Sequence, residues 1–410
     1  MKTRSLMTVA LMMALVLSVF AIPMAGAQPP DGPPGLSDEK RAYACRQDIH
    51  PQDENFPGVH VASLAEAPNG DILYSFYAGT REQATDVATY MSRLALGQRH
   101  WTVPEVIFDE PNRPDGNAVL WVDGPRTWLF FSTIMGPNNA WTQAILRRQY
   151  SDDSGFTWSE PAVIREEWGW LFGTRPFRMS NGEVIVPIYS EIHWAAGWYL
   201  PSADYETWIP SPSGDPADWP HSPGGAIQPA TVELEDGHLL AFMRTRDTPS
   251  ATRQIYRTES FDYGRTWTPA VPAGLPNNNA RVDLLKLEGG ALLLASNPIT
   301  RGRSILRLQL SDDGGETWST GIDIENESRQ EFSYPYTIQT SNGEIHFAYT
   351  HRRQSMRHVV FNEAFLRAGT HLPSNPLFGA TEYRDGEVRD VAACHYVRTL
   401  GRKLDPPARP

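Results

Sequence analysis

Three stretches of the chain repeat the order Ser-x-Asp-x-Gly-x-Thr-Trp: SDDSGFTW at Ser151–Trp158, SFDYGRTW at Ser260–Trp267 and SDDGGETW at Ser311–Trp318. Hydroxyls, a carboxylate and a glycine at this spacing suit two kinds of chemistry. Such a loop either holds an ion or a phosphate, or turns on itself. In the second case the carboxylate accepts backbone N–H bonds, glycine supplies a positive φ and Trp packs beneath. Two worn copies decide between them: Ser202–Trp208 has lost its glycine, and the stretch before Trp101 keeps little but the aromatic. A ligand loop does not tolerate such drift, whereas a turn staple tolerates it where neighbouring packing compensates. The boxes are therefore read as folding elements.

Other reactive groupings are few. The loop GTREQATDVATYMSR gathers Arg81, Glu82 and Asp86. The histidines are scattered, with His193 beside Trp194 placed to touch a sugar. No metal-ligand cluster, nucleotide-binding loop or Ser/His/Asp nucleophile elbow occurs, so no cofactor is expected. Two cysteines, Cys45 and Cys394, lie 349 residues apart, and in an oxidising compartment such a pair bridges. Residues 1–27 point to that compartment. Lys2 and Arg4 precede a mostly apolar Leu6–Met24 and a small-x-small site at Ala25-Gly26-Ala27, the pattern of a secretory signal peptide. Cleavage there leaves 410 − 27 = 383 residues of an exported protein. No other run approaches the length of a membrane span, so no stable membrane insertion is expected. The formal charge of −12 speaks against nucleic acid or anionic membrane as partners. An acidic ligand would need a local arginine cluster.

The elements that must position these residues show in a second repeat. Six turn pairs each precede or enter a β-rich run: Asn69-Gly70, Asp123-Gly124, Asn181-Gly182, Asp236-Gly237, Gly289-Gly290 and Asn342-Gly343. Such pairs are the strongest short-range hairpin signal. Their steps are 54, 58, 55, 53 and 53 residues, and the box tryptophans interleave at steps of 57, 50, 59 and 51. A fixed period of this length means an array of similar units. Six units, each long enough for four strands, predict an all-β fold, a six-bladed β-propeller with Asp-box repeats. A β-sandwich with insertions is the alternative, but it would not space six hairpins evenly. The expected organisation is a signal peptide at 1–27, an N-terminal segment at 28–58 that joins the ring closure, and the propeller at 59–410 with a C-terminal closure segment. The Cys45–Cys394 pair sits where a closure staple would be.

With these boxes and hairpins the chain resembles the sialidase (neuraminidase) superfamily, from about Val59 to Leu366. The resemblance implies a site on the propeller face away from the boxes. It places a carboxylate-binding arginine at Arg303, in SNPITRGRSILRLQLSDDGG, and another at Arg244, in EDGHLLAFMRTR, with Arg246 as a rival. The family's catalytic tyrosine falls on Tyr334 in EFSYPYTIQTSNGEIHFAYT, with Tyr336 two residues away. Its general acid falls on Asp86, with Glu82 second, and Arg81 beside them to hold an anionic group.

Two positions depart from the family. His60 stands where a first arginine belongs, and Gln228 stands where the glutamate that activates the tyrosine belongs. Glu331 or Glu191 would have to replace that base. The resemblance implies a monomeric glycosidase that acts on an acidic glycan, with a tyrosine nucleophile because a carboxylate nucleophile would be repelled by a sugar carboxylate. The departures leave two alternatives open. One is a lyase that cleaves uronate-containing glycans by β-elimination through His60, Tyr334 and arginines. The other is a non-catalytic glycan-binding propeller.

Overall fold

Each of the six turn pairs places its glycine at positive φ, from 59° at Gly124 to 92° at Gly290, a conformation glycine adopts without a Cβ clash. Each turn joins the first strand of a blade to its second. In the computed structural model the described residues are 42–50, 56–214, 219, 225–246, 252–369, 372, 380–384, 387–391 and 394. The expected signal segment and part of the 28–58 segment lie outside them.

The described strands form six antiparallel sheets in chain order. Blade 1 holds Gly58–Glu66, Ile72–Gly79, Ala88–Leu94 and Glu105–Phe108, and blade 2 holds Asp115–Asp123, Arg126–Ile134, Ala144–Ser151 and Ala162–Arg165. Blade 3 begins with two short strands, Trp170–Phe172 and Phe177–Arg178. Both pair with Val184–Ser190, and Ala195–Pro201 and Trp208–Ser211 follow. Blade 4 runs through Ala226–Glu235, His238–Thr245, Gln254–Ser260 and Val271–Pro276, and blade 5 through Asp283–Lys286, Leu292–Ser296, Ile305–Ser311 and Ile322–Asn326. Blade 6 starts with Phe332–Gln339, Ile345–His351 and Ser355–Phe361. The leading strands of blades 6, 1, 2 and 3 neighbour one another in turn, as do those of blades 4, 5 and 6, and Val184–Ser190 of blade 3 meets the leading strand of blade 4, so the ring closes as a six-bladed propeller.

The N-terminal strand Tyr43–Asp48 completes blade 6. It pairs with Ser355–Phe361 on one side (Ala44 opposite Phe361) and with Ala380–Arg384 on the other (Tyr43 opposite Arg384), and Glu387–Val391 adds a sixth strand. Chain ends 349 residues apart are thus laced into one sheet, and a Cys45–Cys394 disulfide fastens them. Arg46 and Arg357, on adjacent strands of this sheet, both reach the buried Glu325 of blade 5, at 3.4 and 2.8 Å. Paired in this way, a buried carboxylate does not bear an uncompensated desolvation cost.

The boxes occupy the turns between third and fourth strands, on the same end of the ring as the glycine turns. In the first full box Asp153 accepts from Ser151 Oγ at 2.7 Å, Thr157 N at 2.8 Å and Thr157 Oγ1 at 2.7 Å. The carboxylate is saturated by its own turn, and these bonds hold its pKa down to about 2. In the worn box, Tyr205 takes the left-handed backbone (φ 60°) that a glycine takes elsewhere. Each tryptophan then packs toward the preceding blade. Trp267 stacks on Trp198 at 3.6 Å, Trp208 meets Phe130 edge-on at 5.4 Å, Trp318 lies 5.8 Å from Phe242, and Trp101 meets His358 of blade 6 at 5.0 Å. Buried aromatic area of roughly 150–250 Å² per ring makes these contacts the staples between blades.

Candidate active site

Counting eight residues back from a turn pair gives Val61, Gly173, Gln228, Arg281 and Tyr334 for blades 1, 3, 4, 5 and 6, and counting six back gives Asn117 for blade 2. These positions lie near the start of the leading strands, on the ring end opposite the boxes. At four of them the ladder slips: a register shift falls between His60 and Ser63, Gly116 and Val119, Ile227 and Ala230, and Ser333 and Tyr336. The residue inside each bulge has positive φ: Val61 61°, Asn117 50°, Gln228 58° and Tyr334 56°. For a non-glycine residue this costs about 1–2 kcal/mol, and bulges are a means of re-aiming side chains near sites.

Three of the re-aimed side chains, with Tyr189 and Arg244, form one chain of hydrogen bonds. Asn117 Nδ2 and Gln228 Nε2 each donate to Tyr189 Oη at 3.2 Å. Arg244 Nη1 donates to Gln228 Oε1 at 3.1 Å and to Tyr334 Oη at 2.8 Å. Arg244 Nε is held by Asn279 Oδ1 at 2.6 Å, and the backbone carbonyl of the same Asn279 accepts from Arg303 Nη2 at 2.9 Å. The Arg303 guanidinium lies 5.6 Å from the Tyr334 ring centroid and pairs with Glu331 at 3.0 Å. Burial alone would raise the Tyr334 pKa. The adjacent charges of Arg244 and Arg303 outweigh it and leave the phenol below its ordinary 10.0.

Arg303, Arg244, Gln228 and Tyr334 therefore converge from blades 4, 5 and 6. His60 joins them, its ring edge-on to Tyr334 at 4.2 Å. Its Nδ1 is hydrogen-bonded to Thr350 Oγ1 at 3.0 Å, while its buried Nε2 has no partner among the described residues. Burial, then the guanidiniums of Arg353, Arg303, Arg281 and Arg244, push the imidazole pKa well below 6.5. His60 is thus a neutral imidazole among cations.

A cavity of about 430 Å³ opens beside His60, lined also by Tyr77, Arg81, Glu82 and Arg353. Glu82 accepts from Trp141 Nε1 at 2.9 Å and pairs with Arg353 at 2.5 Å. Arg353 also reaches Glu331 at 3.0 Å, so one carboxylate orients both Arg353 and Arg303.

Asp86 is placed differently from what a general acid needs. It is exposed, and its carboxylate is engaged by Thr80 within its own loop, by Oγ1 and by N at 3.0 Å. That hydroxyl bond and the loop amide hold its pKa down, so it is ionised at neutral pH. Glu331 is also unsuited to replace the missing base. Although burial opposes it, Arg353 and Arg303 keep it below the usual carboxylate range. Glu191 goes the other way: burial raises it, against the pull of Arg244 and Arg246. Arg246 is exposed with its guanidinium 4.7 Å over Trp194, Arg81 is exposed at the cavity, and His193 is exposed with its amide on Ser190 Oγ.

Sequence reasoning missed Arg281. This fully buried guanidinium donates to the carbonyls of Gly173 (2.7 Å), Ala62 (3.0 Å), Tyr334 (3.1 Å) and Pro335 (2.8 Å), and so ties blades 1, 3 and 6 to blade 5 behind Tyr334. The eight-residue count back from Gly289-Gly290 is the signal that finds it.

A family model described as a BNR repeat-like domain matches residues 70–347. The chain belongs to the BNR repeat-like family. Its similarity to individual members is looser. A sialidase of Bacteroides fragilis is 25% identical over 296 residues, 67% of this chain and 51% of that protein. An anhydrosialidase of Macrobdella decora is 26% identical over 214 residues, 48% of this chain and 26% of that protein. The chain thus spans about half the length of the first relative and about a quarter of the second. Among solved structures, the Hadza microbial sialidase Hz136 superposes with a TM-score of 0.63 at 20% identity, covering 78% of this chain and 68% of that one. The intramolecular trans-sialidase from Ruminococcus gnavus superposes with a TM-score of 0.63 at 16% identity, covering 80% and 99%. At these identities the superpositions speak to the propeller fold of this BNR-repeat chain.

Proposed function

We propose that the chain is an exported, sialidase-like glycosidase that acts on a sugar bearing a carboxylate. One observation carries the reading. Tyr334 is held in a left-handed backbone conformation with its hydroxyl on Arg244 and Arg303 beside its ring. Arginine forks bind a carboxylate in a planar, bidentate way. Arg303, together with Arg244 Nη2, which has no hydrogen bond among the described residues, would hold the substrate carboxylate while Tyr334 Oη attacks the anomeric carbon. The glycosidic C–O bond breaks as the new bond forms, and the leaving oxygen takes a proton. Glu191 suits that donation better than Asp86, because its raised pKa retains a proton nearer neutrality. The signal-like residues 1–27 and the Cys45–Cys394 bridge support export.

A second reading is elimination from a uronate. Gln228 in place of a carboxylate base favours it, as does a His60 Nε2 beside Tyr334 that has no partner among the described residues. Incubation with sialosides and, separately, with uronate-containing glycans tests both. Release of free acidic sugar from sialosides supports the hydrolase. An ultraviolet-absorbing unsaturated uronate supports the lyase and overturns the hydrolase, and no product from either glycan leaves a binding module.

A further inference from the structure

Among the described residues, Tyr334 Oη is bonded to a group that donates and to none that removes a proton. Arg244 Nη1 donates to it at 2.8 Å. Gln228 offers no basic atom, and its Oε1 already accepts from Arg244. The His60 ring meets the Tyr334 ring edge-on, and its Nδ1 is taken by Thr350. The other charges near the phenol are the Arg303 and Arg281 guanidiniums, 5.6 and 5.0 Å from the ring centroid, and three carboxylates: Glu82, paired with Arg353; Glu331, paired with Arg303 and Arg353; and Glu191, under the pull of Arg244 and Arg246. Tyr189 and Tyr77 complete the neighbourhood, both with raised pKa values and therefore neutral. Among the described residues Arg244 is the charged group hydrogen-bonded to this oxygen, and the charges of Arg244 and Arg303 act on the phenol against that of Glu82.

We propose that Tyr334 rests as a phenolate whose charge is held by Arg244 and Arg303, so that charge stabilisation replaces proton transfer to a neighbouring base. The inference rests on the reading of Tyr334 as the reacting group. It reassigns Arg244 from a pure substrate clamp to an activator of Tyr334, and it gives Gln228 a role. A carboxylate at position 228 would compete with the phenolate for Arg244 and repel its charge, whereas the neutral amide orients Arg244 and leaves the phenolate as the only anion on that nitrogen. In the chemical step the phenolate oxygen donates its electron pair to the anomeric carbon, the bonding pair of the glycosidic C–O goes to the leaving oxygen, and no proton has to leave Tyr334. The proton was released to solvent before substrate bound.

Near-ultraviolet absorbance titration of the full chain tests this without substrate, so its outcome is separate from whether any glycoside is cleaved. The wild type should show one tyrosine's worth of phenolate absorbance already present at neutral pH, absent from Tyr334→Phe. Gln228→Glu, which preserves side-chain size, should move that titration upward, as should Arg244→Gln if it folds. Equal phenolate absorbance of wild type and Tyr334→Phe at neutral pH would overturn the proposal. So would a low titration of Tyr334 that Gln228→Glu leaves in place.

Discussion

Arg244 Nη1 lies 2.8 Å from Tyr334 Oη although the residues are 90 positions apart in the chain. Only the ring brings them together, one from the end of a second strand in blade 4 and one from the bulged start of blade 6. The contact joins the fold to the chemistry: the same bulge that costs backbone strain aims the phenol at the arginine.

Arg303 should not be replaceable by lysine. Its fork spans Glu331 at 3.0 Å and the Asn279 carbonyl at 2.9 Å, and an ammonium on a flexible stem cannot keep both while facing a carboxylate. Loss of a charge-assisted hydrogen bond of about 1.5–3 kcal/mol should lower kcat/KM by about 10–100-fold with folding intact. Equal kcat/KM for Arg303→Lys and wild type would remove Arg303 from the clamp.

His60 should contribute no limb to the pH–rate profile near 6.5. Burial and four surrounding guanidiniums keep it neutral well below that value. Nitrogen NMR of the labelled protein should show a neutral imidazole at pH 6, and a protonated ring there would contradict the charge balance described for the site.

The fold was legible because its repeats are local. Each Asn-Gly or Asp-Gly pair and each box writes its own turn within eight residues, so the period could be counted without knowing what packs on what. Arg244, Arg303 and Tyr334 were placed through the sialidase resemblance, whose motifs adjoin those turns and boxes, and the ring brings the three side chains together. The partners of these residues were not legible. Arg353 meets Glu82 across the junction of blades 6 and 1, 271 residues apart in sequence, and Arg281 bonds only to backbone carbonyls of three other blades, which have no side-chain signature. The difference between Asp86 and Glu82 was not legible for a similar reason. Their loop contains two carboxylates, and only the packing of Thr80 and Trp141 shows that Asp86 caps the loop while Glu82 lines the cavity.

Asp115 should be protonated at neutral pH. Burial raises its pKa to about 8, outweighing its bonds from Glu110 N and Thr133 Oγ1. A carboxyl raised above its unfolded value of 3.8 contributes stability that is full below 3.8 and is lost as pH rises through about 8. Asp115→Asn mimics the protonated form, so its melting temperature should gain on wild type between pH 5 and pH 9. A constant difference across that range would place the Asp115 pKa near 3.8.

The closure staple should matter for stability. A bridge over 349 residues removes loop entropy from the unfolded chain, and losing a native disulfide typically costs about 2–5 kcal/mol. Cys45→Ser should lower the melting temperature measurably. Thiol titration of unfolded, unreduced protein should find no free thiol, and two thiols would show that the bridge does not form.

The proposed reaction has Tyr334 form a bond to the anomeric carbon of a carboxylate-bearing sugar. Mass spectrometry of the protein after exposure to a fluorinated acidic glycoside with a good leaving group tests it most directly, because fluorine slows breakdown of the glycosyl-enzyme. The expected result is one added sugar mapped to the peptide containing Tyr334, absent from Tyr334→Phe. Turnover of the parent glycoside with no adduct on Tyr334, or an adduct on another residue, would contradict it.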